Sequence, residues 1–394
     1  MKILMVNKFL YPNGGSETYM FKLGAYLKSI GHEVEYFGME HEGRIVSNSL
    51  DLYTETMDFH NSSALKKLKL SLKTVYSGEA RNKMKRLLDE FEPDVVHLNN
   101  FNFQLTPSII YAVKDYDKSH SKKIKLIYTA HDFQLVCPNH MMMDIHTNTP
   151  CEKCIGAKFK NCTKNKCIHN STLKSFLGTL EAEIYNKNKI YSRIDNIICC
   201  SEFMKKMLDT NPAFKNKTVT LHNFIDKIEP KKSEKEDYVL YFGRFAEEKG
   251  IETLIGANNT NFICAGSGPL EEKVNSASNL KNIGFKTGKE LEELIRKAKC
   301  TVYPSIWYEN CPFSVMESIM YQTPVIASNI GGIPELIYDG KTGYLIPPND
   351  SKALEEAINK LDGATLKNMV ENCSKKEFDT VETYTKKLIE IYNG

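Results

Sequence analysis

Short apolar runs that alternate with amphipathic stretches constrain this chain to a layered α/β fold. Residues 17–30 carry apolar side chains at helical spacing, end near Gly31, and lie between apolar runs at residues 2–7 and 33–37. Strands separated in this way lie parallel, because a parallel connection needs a crossover, usually a helix. We therefore predict doubly wound parallel sheets. Their strands cover residues 2–7, 33–37, 94–98, 124–129, 196–200, 218–221, 238–242, 261–265, 301–305 and 324–328.

The charged segment at residues 227–237 divides this pattern into two parts. The alternation restarts at Tyr238, and a chain of 394 residues suits two or three domains of about 150 residues each. We predict two Rossmann-like domains, at residues 1–225 and 226–375. Residues 376–394 are expected to form a helix that packs back across the domain junction.

The composition is that of a folded, soluble protein. Hydrophobic residues make up 41% and charged residues 26% of the chain, and no apolar stretch approaches the ~20 residues that span a bilayer. Because the N-terminus runs directly into a strand pattern, we expect a cytoplasmic protein whose 11 cysteines are thiols or metal ligands. The basic residues are scattered and show no aromatic–basic binding motif, so no nucleic-acid partner is expected.

Polar or glycine-containing clusters follow the predicted strands of the second half, where open α/β sheets bind ligands. Arg244 and Lys249 lie five residues apart across a strand-to-helix turn, so both can reach one diphosphate; a solvated basic pair is the alternative. Helix starts flanked by glycine suit the same polyanion. The clusters comprise residues 243–250, 266–269 and 307–309, then Glu317, and then Gly331 with Gly332.

Two carboxylates, Glu309 and Glu317, carry the more specific signal. Pro312 predicts that a helix begins after it, so Glu309 projects from a loop and Glu317 from the helix. Carboxylates accept hydrogen bonds from vicinal hydroxyls, such as those of a hexose or a ribose. An ordinary position on a helix surface is the alternative for Glu317. Its apolar neighbours nevertheless predict a mostly buried helix, where an unpaired carboxylate is costly.

Taken in order, these motifs resemble retaining glycosyltransferases of family 4, which have the GT-B fold of two Rossmann-like domains facing across a cleft. The second half carries Gly-Arg…Lys-Gly, Gly-Ser-Gly-Pro, Pro-Ser-x-Trp-x-Glu-x7-Glu and Gly-Gly-x-Pro-Glu. The first half adds Gly14-Gly15-Ser16-Glu17, His131-Asp132, Ser201-Glu202-Phe203 and His222-Asn223. The resemblance covers nearly the whole chain, and the ordered set is more specific than any one glycine pair.

The resemblance implies a hexosyltransferase of cell-surface polysaccharide synthesis. Such an enzyme moves a sugar from a UDP- or GDP-sugar to a glycan or lipid-linked acceptor. The resemblance also implies retention of anomeric configuration by front-side attack. No cofactor is expected to be required for catalysis, because fixed cations and helix N-termini supply the positive field at the diphosphate.

The resemblance also implies roles for single residues. Arg244 and Lys249 are expected to bind the diphosphate, Glu317 the ribose and Glu309 the sugar hydroxyls. His131 is expected near the donor sugar, with a satisfied histidine at a strand end as the alternative. The predicted catalytic residues are His131, Arg244, Lys249 and Glu309; the predicted donor site comprises Gly15, Arg244, Lys249, Gly266, Asn310, Cys311, Phe313 and Glu317; and Gly14, Ser16 and Asn223 are expected to line the acceptor side of the cleft.

A cysteine-rich insertion interrupts the first predicted domain at about residues 137–169. Cys151-x2-Cys154 followed by Cys162-x4-Cys167 is a spacing that can close a tetrahedral thiolate site. We therefore predict a structural zinc held by these four cysteines, which would staple a segment with little apolar content. Unligated thiols and a redox or iron–sulfur role are the alternatives.

A basic, amphipathic stretch spans residues 65–88. It suits a helix pair lying on an anionic membrane, and would make the protein peripheral at the inner face of the plasma membrane. A helix packing its apolar stripe on the domain core is the alternative. Basic residues outnumber acidic ones in residues 1–225 and the reverse holds beyond, which fits either an anionic lipid surface or simple solvated charge.

Two other functions stay open at this stage. One is a nucleotide-sugar epimerase or hydrolase on the same scaffold, and the other is a catalytically inactive sugar-nucleotide-binding protein. The intact His131, Arg244, Lys249, Glu309 and Glu317 argue against decay of a catalytic site. Product analysis without an acceptor separates transfer from the first alternative.

Overall fold

The computed structural model describes residues 1–56, 73–228, 231 and 233–394. Its strands are β1 (Lys2–Val6), β2 (Glu33–Phe37), β3 (Val95–Leu98), β4 (Lys125–Ala130), β5 (Met143–Asp144), β6 (Thr149–Pro150), β7 (Asn196–Cys199), β8 (Thr218–Thr220), β9 (Glu236–Phe242), β10 (Phe262–Ala265), β11 (Leu280–Asn282), β12 (Ala298–Tyr303), β13 (Val325–Ser328) and β14 (Gly343–Ile346). Its helices are α1 (Gly15–Ser29), α2 (Gly78–Phe91), α3 (Ser108–Ser119), α4 (Lys160–Lys164), α5 (Thr172–Lys187), α6 (Glu202–Leu208), α7 (Ile251–Gly256), α8 (Glu271–Ser276), α9 (Gly288–Lys297), α10 (Phe313–Met320), α11 (Ile333–Leu336), α12 (Ser351–Asn359), α13 (Gly363–Lys375) and α14 (Val381–Asn393).

The chain forms two compact units, and each contains one parallel sheet of six strands. Unit 1 comprises Met1–Met142, Cys151–Asn223 and Val381–Gly394, with strand order β2-β1-β3-β4-β7-β8. Unit 2 comprises Met143–Pro150 and Phe224–Thr380, with strand order β11-β10-β9-β12-β13-β14. All pairings within the two sheets are parallel, which confirms the predicted α/β class.

Buried β-branched and aliphatic side chains explain why these segments form central strands. Ile3, Leu4 and Val6 of β1 are wholly buried, as expected where helices cover both faces of a parallel sheet. In unit 2 the core combines residues of β9, β10 and β12 with Leu254 of α7 and Leu354 of α12. The central strands are therefore mainly apolar, and His97 of β3 and Thr129 of β4 are wholly buried polar exceptions.

The chain crosses between the units more often than a simple two-domain sequence suggests. The antiparallel β5–β6 hairpin belongs to unit 2, although it lies inside the segment predicted as the cysteine-rich insertion. Helix α14 belongs to unit 1, although it follows Thr380 of unit 2. Tyr384 of this helix is wholly buried, and its hydroxyl lies 2.7 Å from the hydroxyl of Tyr19 in α1.

The strand predicted at residues 301–305 begins three residues earlier in the structure and ends two residues earlier. Strand β12 begins at Ala298 and ends at Tyr303, directly before Pro304. Proline has no N–H for a sheet ladder, so the apolar run continues beyond the strand without being part of it. The residues after Tyr303 are thereby available to form a loop.

Residues 73–88 of the predicted basic stretch can be compared with the structure, since residues 65–72 lie outside the described residues. Helix α2 buries Met84, Leu87 and Leu88 completely, and Arg81 donates to Asp115 at 2.5 Å. In this part the helix packs its apolar stripe on the core, which is the ordinary interpretation of the pattern. Within the described part of the chain, none of the helices is long and apolar enough to cross a membrane. Membrane contact stays a prediction.

A buried carboxyl group in α5 gives unit 1 a pH-dependent stability. Burial raises the pKa of Glu181 to about 8, and its Oε1 has no hydrogen-bond partner among the described residues. Between about pH 5 and pH 8 the folded carboxyl keeps a proton that the unfolded one has released, so raising the pH favours unfolding.

We therefore expect Glu181→Gln to remove this pH dependence. Relative to the variant, the wild type should lose about 1.4 kcal/mol of unfolding free energy per pH unit between about pH 5 and pH 8. Urea unfolding at several pH values measures this difference. Glu183→Gln is the matched control, because Glu183 lies on the same helix and contacts Lys187 at 3.7 Å. Parallel stability curves for wild type and Glu181→Gln would show that Glu181 is ionised in the folded protein.

Candidate active site

Most of the residues predicted to bind a donor lie at one edge of the unit 2 sheet, whereas Gly15, the first residue of α1, belongs to unit 1. Gly243 and Arg244 follow β9, Gly266 follows β10, Glu309 lies in the loop after β12, and Gly331 follows β13. Strands β10, β9, β12 and β13 are consecutive neighbours and parallel, so these loops all leave the sheet at its carboxyl edge. Ligands of open α/β sheets bind at this edge.

A buried ion pair lies at the centre of this edge. Lys249 ends a short 3-10 turn, and its Nζ donates to Glu309 Oε1 at 2.6 Å and to the hydroxyl of Tyr303 at 3.2 Å. The same Oε1 accepts from Trp307 Nε1 at 2.6 Å and from Ser305 Oγ at 3.0 Å. Glu309 is only 8% exposed, and the side chains of Tyr303, Ser305 and Trp307 determine where this carboxylate and this ammonium lie.

Both members of the pair are charged. Burial alone would raise the pKa of Glu309, but the Lys249 ammonium and the Trp307 N–H hold it below its ordinary value. Burial alone would lower the pKa of Lys249, but the Glu309 carboxylate and Tyr303 raise it above its ordinary value. The sequence assigned Lys249 to a diphosphate and Glu309 to a sugar, and did not anticipate that the two side chains bind each other.

Glycines at this edge allow backbone segments to approach each other closely. Gly332 N donates to the Glu309 carbonyl at 2.7 Å, and Gly331 has a φ of +60°. A Cβ at Gly331 would lie 2.3 Å from the Glu309 carbonyl oxygen, and one at Gly266 would lie 2.0 Å from the Gly243 carbonyl oxygen. Any larger residue would push these loops apart. Gly331 and Gly332 therefore allow close packing against the loop of Glu309, and Gly266 allows the loop after β10 to approach the loop after β9.

The other predicted donor residues occupy the same edge at different depths. Arg244 is exposed, and the Tyr241 hydroxyl fixes its backbone by donating to the Arg244 carbonyl at 2.7 Å. Pro312 is the residue before α10, which confirms that the helix begins after it. Glu317 is half-buried on α10, Phe313 is half-buried as the first residue of α10, and the chain before it holds half-buried Asn310 and buried Cys311.

In unit 1 a ring of hydrogen bonds fixes the Gly14–Glu17 segment at the start of α1. Buried Glu17 accepts from Asn7 Nδ2 at 2.8 Å and from Ser16 Oγ at 3.0 Å. Asn7 Oδ1 accepts from Asn100 N at 2.9 Å, and Asn100 Nδ2 donates back to Ser16 Oγ at 3.0 Å. The ring joins the helix start to the ends of β1 and β3. The sequence interpretation missed Asn7 and Asn100, although each is a polar residue next to the end of a buried strand.

His131 follows β4 and lies in unit 1 with a defined tautomer. Its Nε2 lies 2.9 Å from Asn99 Oδ1, and Asn99 Nδ2 points to the Val6 carbonyl at 3.4 Å, which identifies Oδ1 as the acceptor. Burial lowers the pKa of His131 to about 4, against the opposing charge of Asp132. The neutral ring therefore carries its proton on Nε2, which makes Nδ1 an acceptor. The sequence interpretation missed Asn99. It assigned Asn223 to the acceptor side of the cleft, and the structure places this residue after β8, where it is buried.

The structure pairs the cysteines differently from the predicted zinc site. Cys154, Cys162 and Cys167 form one buried cluster, and hydrogen bonds connect Cys137 with Cys154 and Cys162 with Cys167. Cys151 is half-exposed, whereas Cys137 was outside the predicted ligand set. Within the described residues, no group of three or more His, Cys, Asp or Glu side chains is placed to hold a metal ion. The geometry thus adds no support to zinc.

Two sequence profiles cover almost the entire chain. Residues 13–228 match the profile described as Glycosyltransferase Family 4, and residues 223–376 match that described as Glycosyl transferases group 1. The first match alone spans more than half of the chain. The chain belongs to glycosyltransferase family 4.

Curated relatives of this family member are distant. An uncharacterized glycosyltransferase of Methanocaldococcus jannaschii is 29% identical over 53% of this chain and 62% of its own length. An uncharacterized 42.6 kDa protein in the cps region of Klebsiella pneumoniae is 24% identical over the full length of both chains. The O-antigen chain mannosyltransferase C of Escherichia coli is 32% identical over 32% of this chain and 37% of its own. The chain thus spans less than two thirds of the first and third of these proteins.

Solved structures place the family 4 chain in the GT-B fold. Sucrose-phosphate synthase from Thermosynechococcus elongatus superposes with a TM-score of 0.71 at 17% identity, covering 100% of this chain and 98% of the other. HepE of Anabaena, solved in complex with UDP-glucose, superposes with a TM-score of 0.63 at 16% identity, covering 100% and 99%. At this level of identity the likeness concerns the fold alone.

The buried ion pair predicts a large stability cost when one partner is removed. Lys249→Ala leaves Glu309 charged and unpaired, and should lower the unfolding free energy by about 3 kcal/mol or more. Guanidinium unfolding measures this loss, and adding Glu309→Gln to the variant should recover part of it. Lys273→Ala is the control, because its partner Glu252 and Lys273 itself are each more than half exposed. Equal effects of Lys249→Ala and Lys273→Ala would contradict a buried, charged pair.

The structural zinc remains a prediction from cysteine spacing, and metal analysis decides it. Purified protein is expected to contain about one zinc per chain. Chelation should then lower the melting temperature, and Cys162→Ser should abolish binding. The comparison of Cys137→Ser with Cys151→Ser shows which of the two completes the ligand set. A metal-free protein whose stability is insensitive to chelators would refute the prediction.

Proposed function

We propose that the protein transfers a hexose from a UDP- or GDP-sugar to a glycan or lipid-linked acceptor, with retention of anomeric configuration. The observation that carries this proposal is the convergence of Arg244, Lys249, Glu309 and Glu317 at the carboxyl edge of the unit 2 sheet, in the motif order of glycosyltransferase family 4. HepE, a structural neighbour, was solved with UDP-glucose, which supports a nucleotide-sugar donor.

Each unit 2 residue has a role that its environment supports. Exposed Arg244 is proposed to bind the diphosphate, where it would stabilise charge that develops on the leaving nucleotide. Lys249 is proposed to supply a second positive charge. Because Glu309 fixes the position of this ammonium, the side chain needs little rearrangement during the reaction. Glu317 is proposed to accept from the ribose hydroxyls, and the amides at the start of α10 to approach the donor.

In unit 1, His131 is proposed to contact the donor sugar. Because its Nε2 donates to Asn99, Nδ1 is the atom that would accept a hydrogen bond from a sugar hydroxyl. The neighbouring Asp132 is a poor candidate for a covalent nucleophile. Its Oδ1 accepts from Gln134 N at 2.9 Å, and its Oδ2 lies 3.5 Å from His140 Nδ1. This arrangement supports front-side attack over a glycosyl–aspartate intermediate at this position.

Metal-independent catalysis is part of the proposal. One Asp-x-Asp segment, Asp115 and Asp117, has the spacing of a metal-binding pair, but it lies in helix α3. Arg81 binds the first carboxylate at 2.5 Å, and Arg193 binds the second at 2.6 Å. These carboxylates are therefore committed to arginines, which leaves the cations of unit 2 to neutralise the diphosphate.

The proposed pathway is the synthesis of a cell-surface polysaccharide. Support comes from similarity to a protein in a capsule-type cps region and to an O-antigen chain mannosyltransferase. A lipid-linked acceptor would bring the enzyme to the inner face of the plasma membrane. The basic residues of the 65–88 stretch are proposed to favour that location.

The donor is tested first by nucleotide binding. A panel of UDP, GDP, ADP and CMP should show stabilisation by UDP or GDP alone in thermal-shift and calorimetric measurements. A nucleotide at 100 times its Kd adds about 2.7 kcal/mol of apparent stability. Arg244→Ala and Glu317→Ala should lose this response, whereas Lys281→Ala, an exposed lysine on β11 of the same unit, should keep it.

Transfer itself is tested with the matching sugar donor and a lipid-linked acceptor. Proton NMR of the product reports the anomeric configuration, and retention is expected. Release of free sugar without acceptor at the same rate would instead indicate a hydrolase. Failure of every nucleotide to bind would contradict the donor site and favour an inactive scaffold.

A further inference from the structure

A buried chain of hydrogen bonds in unit 1 begins and ends on the C-terminal helix α14. The Tyr392 hydroxyl lies 2.6 Å from His97 Nδ1, and His97 Nε2 lies 2.7 Å from Thr129 Oγ1. Thr129 Oγ1 lies 3.3 Å from the Tyr19 hydroxyl, which lies 2.7 Å from the Tyr384 hydroxyl. The five side chains come from α14, β3, β4 and α1. We call them the tyrosine relay.

The tyrosine relay is more than a packing contact. Tyr19, His97, Thr129 and Tyr384 are wholly buried and Tyr392 is 4% exposed. Burying polar groups costs free energy unless each is hydrogen-bonded, and phenylalanine or leucine would pack at these places without that cost. A fully buried polar chain instead fixes one register between the elements that it joins, since any shift leaves several groups unpaired.

The relay lies directly against the proposed sugar-binding histidine. His97 lies in β3 and Thr129 in the neighbouring β4, and Asn99 and His131 follow them by two residues, just beyond the ends of these strands. The His97–Thr129 bond within the two strands is thus followed, two residues later on each chain segment, by the Asn99–His131 bond. In addition, the Tyr19 ring packs edge-on against the His131 ring, with centroids 4.9 Å apart and planes at 67°.

We propose that Tyr384 and Tyr392 are positioning residues that fix the orientation of His131 through Tyr19, His97 and Thr129. The last helix of the chain would then act on the reaction without touching the substrate. The Tyr384 hydroxyl holds the Tyr19 hydroxyl, so the Tyr19 ring is held where the His131 ring rests on it. Tyr392 holds His97, and His97 holds Thr129 on the strand that leads into His131. This inference rests on the proposed function for its effect on catalysis, but not for its effect on His131.

The test uses Tyr384→Phe and Tyr392→Phe in the full chain. Each change removes one hydroxyl of the relay and keeps the ring. Tyr185→Phe is the matched control, because Tyr185 is also buried in unit 1 and donates its hydroxyl outside the relay, to the Val75 carbonyl. Melting temperatures of the three variants show the structural cost of losing one buried hydroxyl.

The decisive measurement is the NMR signature of the His131 ring, assigned with His131→Gln. The nitrogen and carbon chemical shifts of this ring should differ from the wild-type values in Tyr384→Phe and Tyr392→Phe, and should equal them in Tyr185→Phe. Unmoved His131 signals in both relay variants would overturn the proposal and leave the relay a purely structural anchor.

Kinetics separate this role from general destabilisation. The relay variants should lower kcat roughly 10- to 100-fold, the effect expected when a contacting group is slightly misplaced, while the Kd for UDP or GDP at the unit 2 site stays unchanged. A kcat within twofold of the Tyr185→Phe control would contradict the proposal. If the wild type transfers no sugar from any donor, the proposed function fails, and the His131 signals still decide whether the relay positions this ring.

Discussion

Burial of both faces of a parallel sheet is the constraint on which the rest of this structure depends. Strands that are buried on both faces are largely apolar, so the side chains that could bind a ligand lie at the strand ends. Asn7, Asn99 and His131 follow β1, β3 and β4, and Arg244 follows β9 in the same way. The candidate ligand-binding residues are concentrated at these edges, whereas His97 and Thr129 inside β3 and β4 are wholly buried and hydrogen-bonded to each other.

The two edges hold their polar residues by different physical means. In unit 2 a charged pair, Lys249 and Glu309, is fixed by strong hydrogen bonds from Trp307 and Ser305. In unit 1 the edge combines the carboxyl group of Glu17 with amides, hydroxyls and an uncharged imidazole that exchange hydrogen bonds. A fixed charge suits a site that must balance a diphosphate. A neutral ring with a defined tautomer suits recognition of hydroxyl groups, which donate and accept without carrying charge.

Sequence reasoning found the elements that depend on local pattern and missed the pairings that depend on distance along the chain. Strand β13 was placed within one residue, because its apolar run and its flanking residues are local signals. The bond between Lys249 and Glu309 spans 60 residues, and motif spacing alone assigned each to a ligand. In the same way, spacing favoured Cys151 as the neighbour of Cys154, whereas folding brings Cys137 there. The spacing of residues in the sequence predicts which side chains meet only when those residues are a few positions apart.

The contact between Tyr19 and Tyr384 shows how far this limit reaches. The two hydroxyls are 365 positions apart in the chain, and each is an unremarkable residue of an amphipathic helix. The apolar pattern of α14 predicts that the helix packs against a core. Tyrosine counts as apolar in such a pattern, so the pattern does not predict a hydrogen bond from its hydroxyl. The buried hydrogen-bond partners of that hydroxyl show that α14 does more than cover the sheet: they fix its position along the neighbouring elements. In this molecule the helix with the fixed register is α14, and the hydrogen bonds that fix it reach Thr129 on the strand that leads into His131.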